Sequence, residues 1–315
     1  MEQMLIGSYI RQKREDKGLT LRQLCDGICT VSTLSRIESN GQAPSIGIVK
    51  ALLERLGLPA GKFFALLSES EIDADRLRKK IHSNRIRLRR AVDPERRAIR
   101  EEILADLETL EELGGEDNRF VRQFVLSVRA TVGGTEGPFD PEMRLDLLMR
   151  AIRLTVPRFD LKEIAGFQYR TEEIIIVNQI ARVYASTGDR KKAIGISSQL
   201  LRYIEKNNQD LEHYPRQFCL VAHNYAIDLG LEKQYEKAIP LAEKGRKICA
   251  ERGDYEFLPG FLAILAECLY FTGNYAQSAK LYFQAYYLYQ ALEDADNCAT
   301  MRREMNERLG LQPPC

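Results

Sequence analysis

The residues best suited to specific contacts are the small hydroxyl side chains between Ile28 and Glu38. This run follows Gly18–Leu24 and precedes a polar break at Ser39–Gln42, so the segment predicts two short helices joined by a tight turn. Small hydroxyl residues at the start of the second helix can face a base edge without a bulky side chain intervening. Such a layout is typical of a helix-turn-helix that enters the major groove of DNA.

The elements that must position this run form a compact N-terminal domain, which we predict over residues 1–67. Its pattern predicts five short helices, with Thr20 capping the second. The first runs over about 5–16, the second over 21–26 and the third over 31–39, the fourth opens at Pro44-Ser45, and the fifth runs from about 58 to 66.

The motifs Gly18-Leu19-Thr20, Ser35-Arg36-Ile37-Glu38 and Pro44-Ser45 resemble the phage-repressor-like (Xre) DNA-binding family. The turn is one residue shorter than the commonest version in that family. In this respect the chain is similar to the peptide-responsive regulators of the PlcR and Rgg type, the RRNPP family. The resemblance covers essentially the whole chain and implies a homodimeric regulator of transcription in quorum sensing between Gram-positive cells.

The resemblance also implies which residues of the N-terminal domain contact double-stranded operator DNA. Residues at the start of the third helix should point into the groove or onto its rim, while basic residues beside it anchor phosphates. Each basic residue could equally be an ordinary solvated charge. The groove contacts would be Thr30, Val31, Ser32, Thr33 and Arg36, and the flanking phosphate contacts Arg22 and Lys50, together with Arg11, Lys13 and Lys17.

In the repressor-like family an arginine on the first helix pairs with a glutamate at the end of the third. The matching residues here are Arg14 and Glu38. A carboxylate close to phosphates would be repelled, so we favour a structural ion pair over a DNA contact.

A polar, acidic segment at 68–75 predicts a linker. After it, basic and acidic residues occupy separate segments. Basic residues dominate 76–100, and every charged residue of 101–117 is acidic. We predict two antiparallel helices, about 71–91 and 94–113, that place Glu108, Glu111 and Glu112 beside the basic residues 76–80. The arginines at 85–90 could bind DNA phosphate, an acidic peptide group or water. The resemblance assigns Arg87 and Arg89 to peptide binding.

The remainder, 76–315, reads as a helical repeat domain for peptide sensing and dimerisation. Segments starting at Tyr184, Leu229 and Leu269 match one another, with a small residue at 193, 238 and 278 that lets two helices approach closely. This self-similarity predicts tetratricopeptide-like (TPR-like) helical pairs that stack into an α-solenoid, whose first helices line a concave face. The fold class is therefore all-α, with a terminal helix at about 297–309.

Polar residues on these first helices are candidates for holding an extended peptide. Asn178 and Asn224 occupy similar places in two of them, and an asparagine amide can grip a peptide main chain. The resemblance favours this role, and hydrogen bonds between helices are the alternative. Arg182, Asp228 and Glu267 could orient a peptide by its termini, or pair with each other. Tyr282, Tyr286 and Tyr289 could serve the core, a dimer surface or a peptide pocket.

Composition and the absence of known motifs limit the partners, the compartment and the class of protein that we expect. The 315 residues carry a formal charge of +1, so any attraction to nucleic acid must be local. No apolar run approaches the roughly 20 residues of a membrane span, and we expect a cytoplasmic protein with no membrane partner. Seven cysteines without a Cys-x-x-Cys pair indicate reduced thiols. No catalytic, cofactor or metal motif is present, so we expect neither an enzyme nor a cofactor.

Two rival functions fit the same pattern. One is a peptide-independent DNA-binding repressor, whose repeats only dimerise or recruit a protein partner. The other is an adaptor that does not bind DNA and uses its repeats for protein contacts.

Overall fold

The computed structural model describes residues 6–39, 41, 44–58, 69–114, 118–134, 136–207 and 215–313. These residues form fifteen α-helices, and their only β contact is an isolated antiparallel bridge between Gly134 and Gly137. The predicted all-α class is therefore confirmed. The chain divides into two compact units, Met1–Val183 and Tyr184–Cys315. Within the described ranges no helix is both long and apolar enough to cross a bilayer.

The first unit begins with a four-helix head: α1 (Ile6–Asp16), α2 (Leu21–Cys25), α3 (Val31–Glu38) and α4 (Ile46–Arg55). Thr20 caps α2 as predicted, because its Oγ1 accepts a hydrogen bond from the Gln23 backbone N–H at 3.2 Å and its own N–H donates to Gln23 Oε1 at 2.8 Å. The fifth helix predicted over 58–66 lies almost entirely outside the described residues. The head has its own apolar core, formed by Ile10, Leu24, Ile28, Leu34, Ile37, Leu52, Leu53 and Leu56.

The rest of the first unit continues with α5 (Glu69–Arg90), α6 (Glu95–Gly114), α7 (Arg119–Val132), α8 (Pro141–Arg153) and α9 (Thr171–Ser186), the last of which ends three residues into the second unit. Helix α6 packs against both α5 and α7, and α7 also packs against α8. Fully buried residues from three of these helices, among them Ile81, Ile103, Leu107 and Val128, form their shared core.

Two details of the α5–α6 hairpin differ from the prediction. Helix α5 already begins at Glu69, so residues 69–75 of the predicted linker are helical; acidic side chains favour the start of a helix because they face its positive dipole end. In addition, the acids that pair with Lys80 are Glu102 and Asp106, at 2.9 and 2.8 Å, rather than the later glutamates. Sequence alone does not fix the register of a hairpin between two long charged helices. The division into domains at 67 and 76 stays a prediction.

The second unit contains α10 (Arg190–Asn207), α11 (Pro215–Leu231), α12 (Tyr235–Arg252), α13 (Leu258–Phe271), α14 (Tyr275–Ala291) and α15 (Ala295–Leu309). Each helix packs against the next, and α11 also packs against α13, as expected of stacked helical pairs. The small residues that the repeat pattern singled out, Ala193, Ala238 and Ser278, are all 0% exposed. These residues therefore permit the close helix contacts predicted for TPR-like pairs.

The turns of the matching segments need a left-handed backbone at one equivalent position. Gly188 and Gly273 adopt it with φ of 92° and 86°, while Lys233 adopts it in the middle segment with φ of 58°. A residue with a side chain is strained there, so the motif tolerates one departure from glycine at some cost in stability.

His223 on α11 contacts the neighbouring helix α13. Its ring lies 5.8 and 5.4 Å, centroid to centroid, from Phe257 and Phe261. Gly260 makes room for it, since a Cβ there would lie 2.2 Å from His223 Nε2.

Candidate functional site

Helix α3 presents an accessible polar surface. Thr30 caps the helix, because its Oγ1 accepts a hydrogen bond from the Thr33 backbone N–H at 3.0 Å. The side chains of Val31, Ser32 and Arg36 are exposed, Val31 by 44%. The other apolar residues of α3, Leu34 and Ile37, lie in the head core. The outer surface thus carries hydroxyls, a methyl-bearing side chain and a guanidinium, which are the groups that can contact base edges and phosphates.

The two predicted flanking phosphate contacts differ in accessibility. Arg22 on α2 is exposed, whereas Lys50 on α4 is half-buried and already takes part in another interaction within the chain. Arg22 is therefore the better placed of the two for a phosphate. Their contacts with DNA stay predictions.

Arg14 and Glu38 form a bidentate ion pair between α1 and the end of α3. Arg14 Nε and Nη2 donate to the two carboxylate oxygens of Glu38, both at 2.7 Å, and Nη1 donates to the Leu19 carbonyl at 2.9 Å. The hydrogen bonds to Glu38 raise the pKa of Arg14 above its usual value. With side chains only 12% and 6% exposed, the pair ties α3 to α1 of the head.

A second polar cluster, which the sequence reasoning missed, joins the head to the following helices. Arg55, at the end of α4, lies 3.5 Å from Glu173 on α9. Glu173 accepts hydrogen bonds from the backbone N–H of Arg170 at 2.6 Å and from Arg170 Nε at 3.0 Å. Arg170 also donates to Gln123 on α7 and lies 3.6 Å from Glu54. We call these five residues the head clamp. Only the Arg170/Glu173 spacing of three, beside an apolar run, could have signalled it.

Burial alone would raise the pKa of Glu173, but Arg170 and Arg55 outweigh that effect and hold it below its usual value. Burial raises the pKa of Glu54, since its attraction to Arg170 compensates less. The clamp therefore contains one carboxyl group whose ionised form is favoured by its partners and one whose ionised form is disfavoured by burial.

The peptide-binding residues predicted in the first unit have different surroundings. Asn178 is 4% exposed and Arg182 is half-buried, and each makes further interactions within the chain. Arg87 is exposed and donates to Asn84 and Glu95, both at 3.3 Å. Arg89 lies in α5, but its side chain is outside the described part of the structure. A peptide role for these residues stays a prediction.

In the second unit, Asn224 is half-buried on α11, one helical turn before Asp228. Asp228 is only 1% exposed and lies 3.7 Å from Arg190, which also lies 3.3 Å from Glu232. The carboxylate of Asp228 is thus already compensated within the repeats. A positively charged ligand group would have to compete with Arg190 for it.

Glu267 belongs to a polar network at the end of the repeats. Arg308 on α15 donates to Glu267 at 2.7 Å and to Glu304 at 3.2 Å, and it also contacts the hydroxyl of Tyr282. Tyr282 is completely buried, and burial raises the pKa of its phenol. The network joins the terminal helix to α13 and α14. It also places Tyr282 in the core, one of the roles left open for the tyrosines.

Two regions of the chain match models of known protein families. A family model described as helix-turn-helix matches residues 10–63, and a model described as the RNPP family C-terminal domain matches 154–298. No curated protein sequence matches the chain significantly.

Two solved structures of Bacillus thuringiensis PlcR share the fold. The complex with the peptide PapR7 and DNA is 21% identical with a TM-score of 0.57, covering 94% of this chain and 98% of that chain. The apo form is 20% identical with a TM-score of 0.60, covering 95% and 98%. The fold and the two regions define a helix-turn-helix protein with TPR-like helical repeats. More particularly, residues 154–298 match the C-terminal domain of the RNPP family.

Proposed function

We propose that this protein is a DNA-binding transcriptional regulator controlled by a short linear signalling peptide, acting in quorum sensing. The observation that carries the proposal is an exposed, hydroxyl-rich α3 on a helix-turn-helix head, in a chain whose repeats match the RNPP C-terminal domain. PlcR, which shares the fold, was solved with both a peptide and DNA. Because its target is chromosomal DNA, the protein would act in the cytoplasm.

The DNA step uses the surface of α3. Arg36 donates to guanine or to a phosphate, Ser32 hydrogen-bonds a base edge, and Val31 contacts a thymine methyl. Arg22 and Lys50 anchor the flanking backbone. One head covers only a few base pairs, so a homodimer on a two-fold-symmetric operator supplies the necessary affinity.

The peptide step uses polar side chains of the repeats. Asn224 supplies amide groups for the peptide main chain, with Asn178 and Arg182 as the further predicted contacts and Arg87 and Arg89 on the first repeat helix. A positively charged peptide group would exchange with Arg190 at Asp228 or with Arg308 at Glu267, so binding would rearrange existing ion pairs. A peptide shifts DNA binding only if it favours one conformation over another. A coupling free energy of about 1–3 kcal/mol changes operator affinity about 5–150-fold.

The test combines operator selection with peptide titration. An operator is first selected from random duplex DNA, and synthetic peptides from short reading frames beside the gene are then titrated in gel shifts at fixed salt. We expect one peptide to change operator affinity at least about fivefold. Asn224→Ala should reduce this change without altering affinity in the absence of peptide, while Asn306→Ala, at an exposed residue of α15, should keep it. No effect of any peptide would count against the sensor function.

The peptide-independent repressor remains the second candidate because Asp228 and Glu267 are already paired within the repeats. It predicts normal operator binding and no peptide effect. The adaptor alternative predicts no operator at all, so Ser32→Ala and Arg36→Ala would have no DNA affinity to reduce.

A further inference from the structure

The head of the first unit is held against the following helices by buried charges. Arg55, Arg170 and Glu173 have side chains 1%, 6% and 0% exposed. Arg55 Nη2 also donates to the Thr155 carbonyl at 3.3 Å, and Arg170 lies over the Phe120 ring at 4.5 Å. Charges so deeply buried hold their partners in a defined geometry, because a displaced partner would leave an uncompensated charge.

The backbone of the head also lies close to the part of the first unit from α7 to α9, which we call the array. Gly27, in the turn between α2 and α3, has a φ of 72°, and a Cβ there would lie 1.8 Å from the Thr155 carbonyl oxygen. Arg119 on α7 donates to the Gly27 carbonyl at 2.6 Å, and Arg158 lies 3.2 Å from Asp26. The contact thus extends from the end of α4 to the helix-turn-helix turn itself.

This contact leaves the outer surface of α3 accessible. Ser32 and Arg36 are exposed, whereas the contact involves the end of α4 and the turn before α3. The head is therefore docked with its groove-facing side chains available, and its orientation relative to α7 and α9 is fixed by the clamp.

We infer that Arg55, Arg170 and Glu173 are positioning residues that fix the reading head on the array and so set the spacing of operator half-sites that a dimer accepts. This inference rests on the proposed function. Two base pairs added between half-sites rotate one of them by about 70° around the DNA axis. A dimer with fixed heads cannot follow that rotation, whereas heads released from the array can.

The experiment compares two glycine variants. Gly27→Ala places a methyl group against the Thr155 backbone, while Gly18→Ala sits at a similar φ of 63° with no atom within 4 Å of its Cβ. Both carry the same kind of backbone strain, but only the first separates the head from the array. Glu173→Gln disturbs the contact from the array side and keeps the side-chain shape. Circular dichroism of the full-length proteins verifies folding, and either Gly27→Ala or Glu173→Gln suffices for the test.

Gel shifts then measure affinity for operators whose spacers differ by zero, one and two base pairs. We expect wild type and Gly18→Ala to prefer the best spacer over the two-base-pair insertion by about tenfold or more, and Gly27→Ala and Glu173→Gln by less than about threefold. Equal discrimination by all four proteins would overturn the clamp's role and leave the proposed function intact. If wild type bound no spacer at all, the proposed function would fail and the inference with it.

Discussion

The ion pair between Arg14 and Glu38 allows a quantitative test of how α3 is held in the head. In Glu38→Gln, one amide oxygen can still accept from Arg14, but the amide nitrogen takes the place of the oxygen that now lies 2.7 Å from Arg14 Nη2. Two donors then face each other, and the Arg14 charge loses its main partner. Removing one member of a buried charged pair costs about 3–5 kcal/mol, and the partial exposure of Arg14 lowers our expectation to about 3 kcal/mol.

The measurement is native-state hydrogen exchange at the backbone amides of α3 in the full-length protein. A loss of about 3 kcal/mol in local opening free energy corresponds to exchange about 100-fold faster. Glu15→Gln is the matched control, because Glu15 also lies near Arg14, at 3.4 Å, but its side chain is 53% exposed. Such an exposed ion pair contributes little to stability, so exchange in α3 should change little.

Operator affinity provides the second readout. If Glu38 acts structurally, Glu38→Gln weakens DNA binding because α3 loses its fixed orientation. If Glu38 instead lies near phosphates, removing its negative charge strengthens binding. Exchange within threefold of wild type together with tighter DNA binding would refute the structural role.

Three further outcomes are expected. Arg36→Ala should lower operator affinity by about 1–3 kcal/mol without changing thermal stability, since the side chain is exposed; gel shifts and calorimetry check this. Glu173→Gln should destabilise the protein at neutral pH, because a carboxyl with a lowered folded-state pKa stabilises the fold while it is ionised. The difference in unfolding free energy between the variant and wild type should shrink as pH falls below the ordinary glutamate pKa of 4.5. Urea unfolding at pH 7 and pH 4 measures this difference. Gly260→Ala should cost about 1–3 kcal/mol of stability through collision with His223, and adding His223→Ala should recover part of that loss in thermal unfolding.

Local sequence patterns were enough to predict most of the helices. The capping residue Thr20 and the turn before α3 marked the head, and the small residues Ala193, Ala238 and Ser278 marked the repeat pairs. The run Glu173–Val177, which could suggest a strand, belongs to a longer helical pattern and lies in helix α9. These features depend on residues within one or two helical turns of each other, and such patterns can be recognised in a single sequence.

The head clamp could not be predicted in this way. Arg55 and Glu173 are more than a hundred positions apart, and each resembles an ordinary surface charge in its own segment. The same limitation affected Glu267, because its partner Arg308 lies on the terminal helix. Ion pairs between distant segments depend on helix register and tertiary packing, which composition and periodicity do not determine.

The clamp is not the arrangement that stability alone would favour. Among the described residues none accepts a hydrogen bond from Arg55 Nε, although that atom is buried, and an unsatisfied buried donor costs about 1–3 kcal/mol. Apolar residues of similar volume would join the two surfaces at no such cost. Apolar contacts, however, permit several orientations of nearly equal energy, whereas paired charges permit few. A head whose task is to present α3 at a fixed angle has a physical reason to use charges here, and the spacer experiment tests that reason directly.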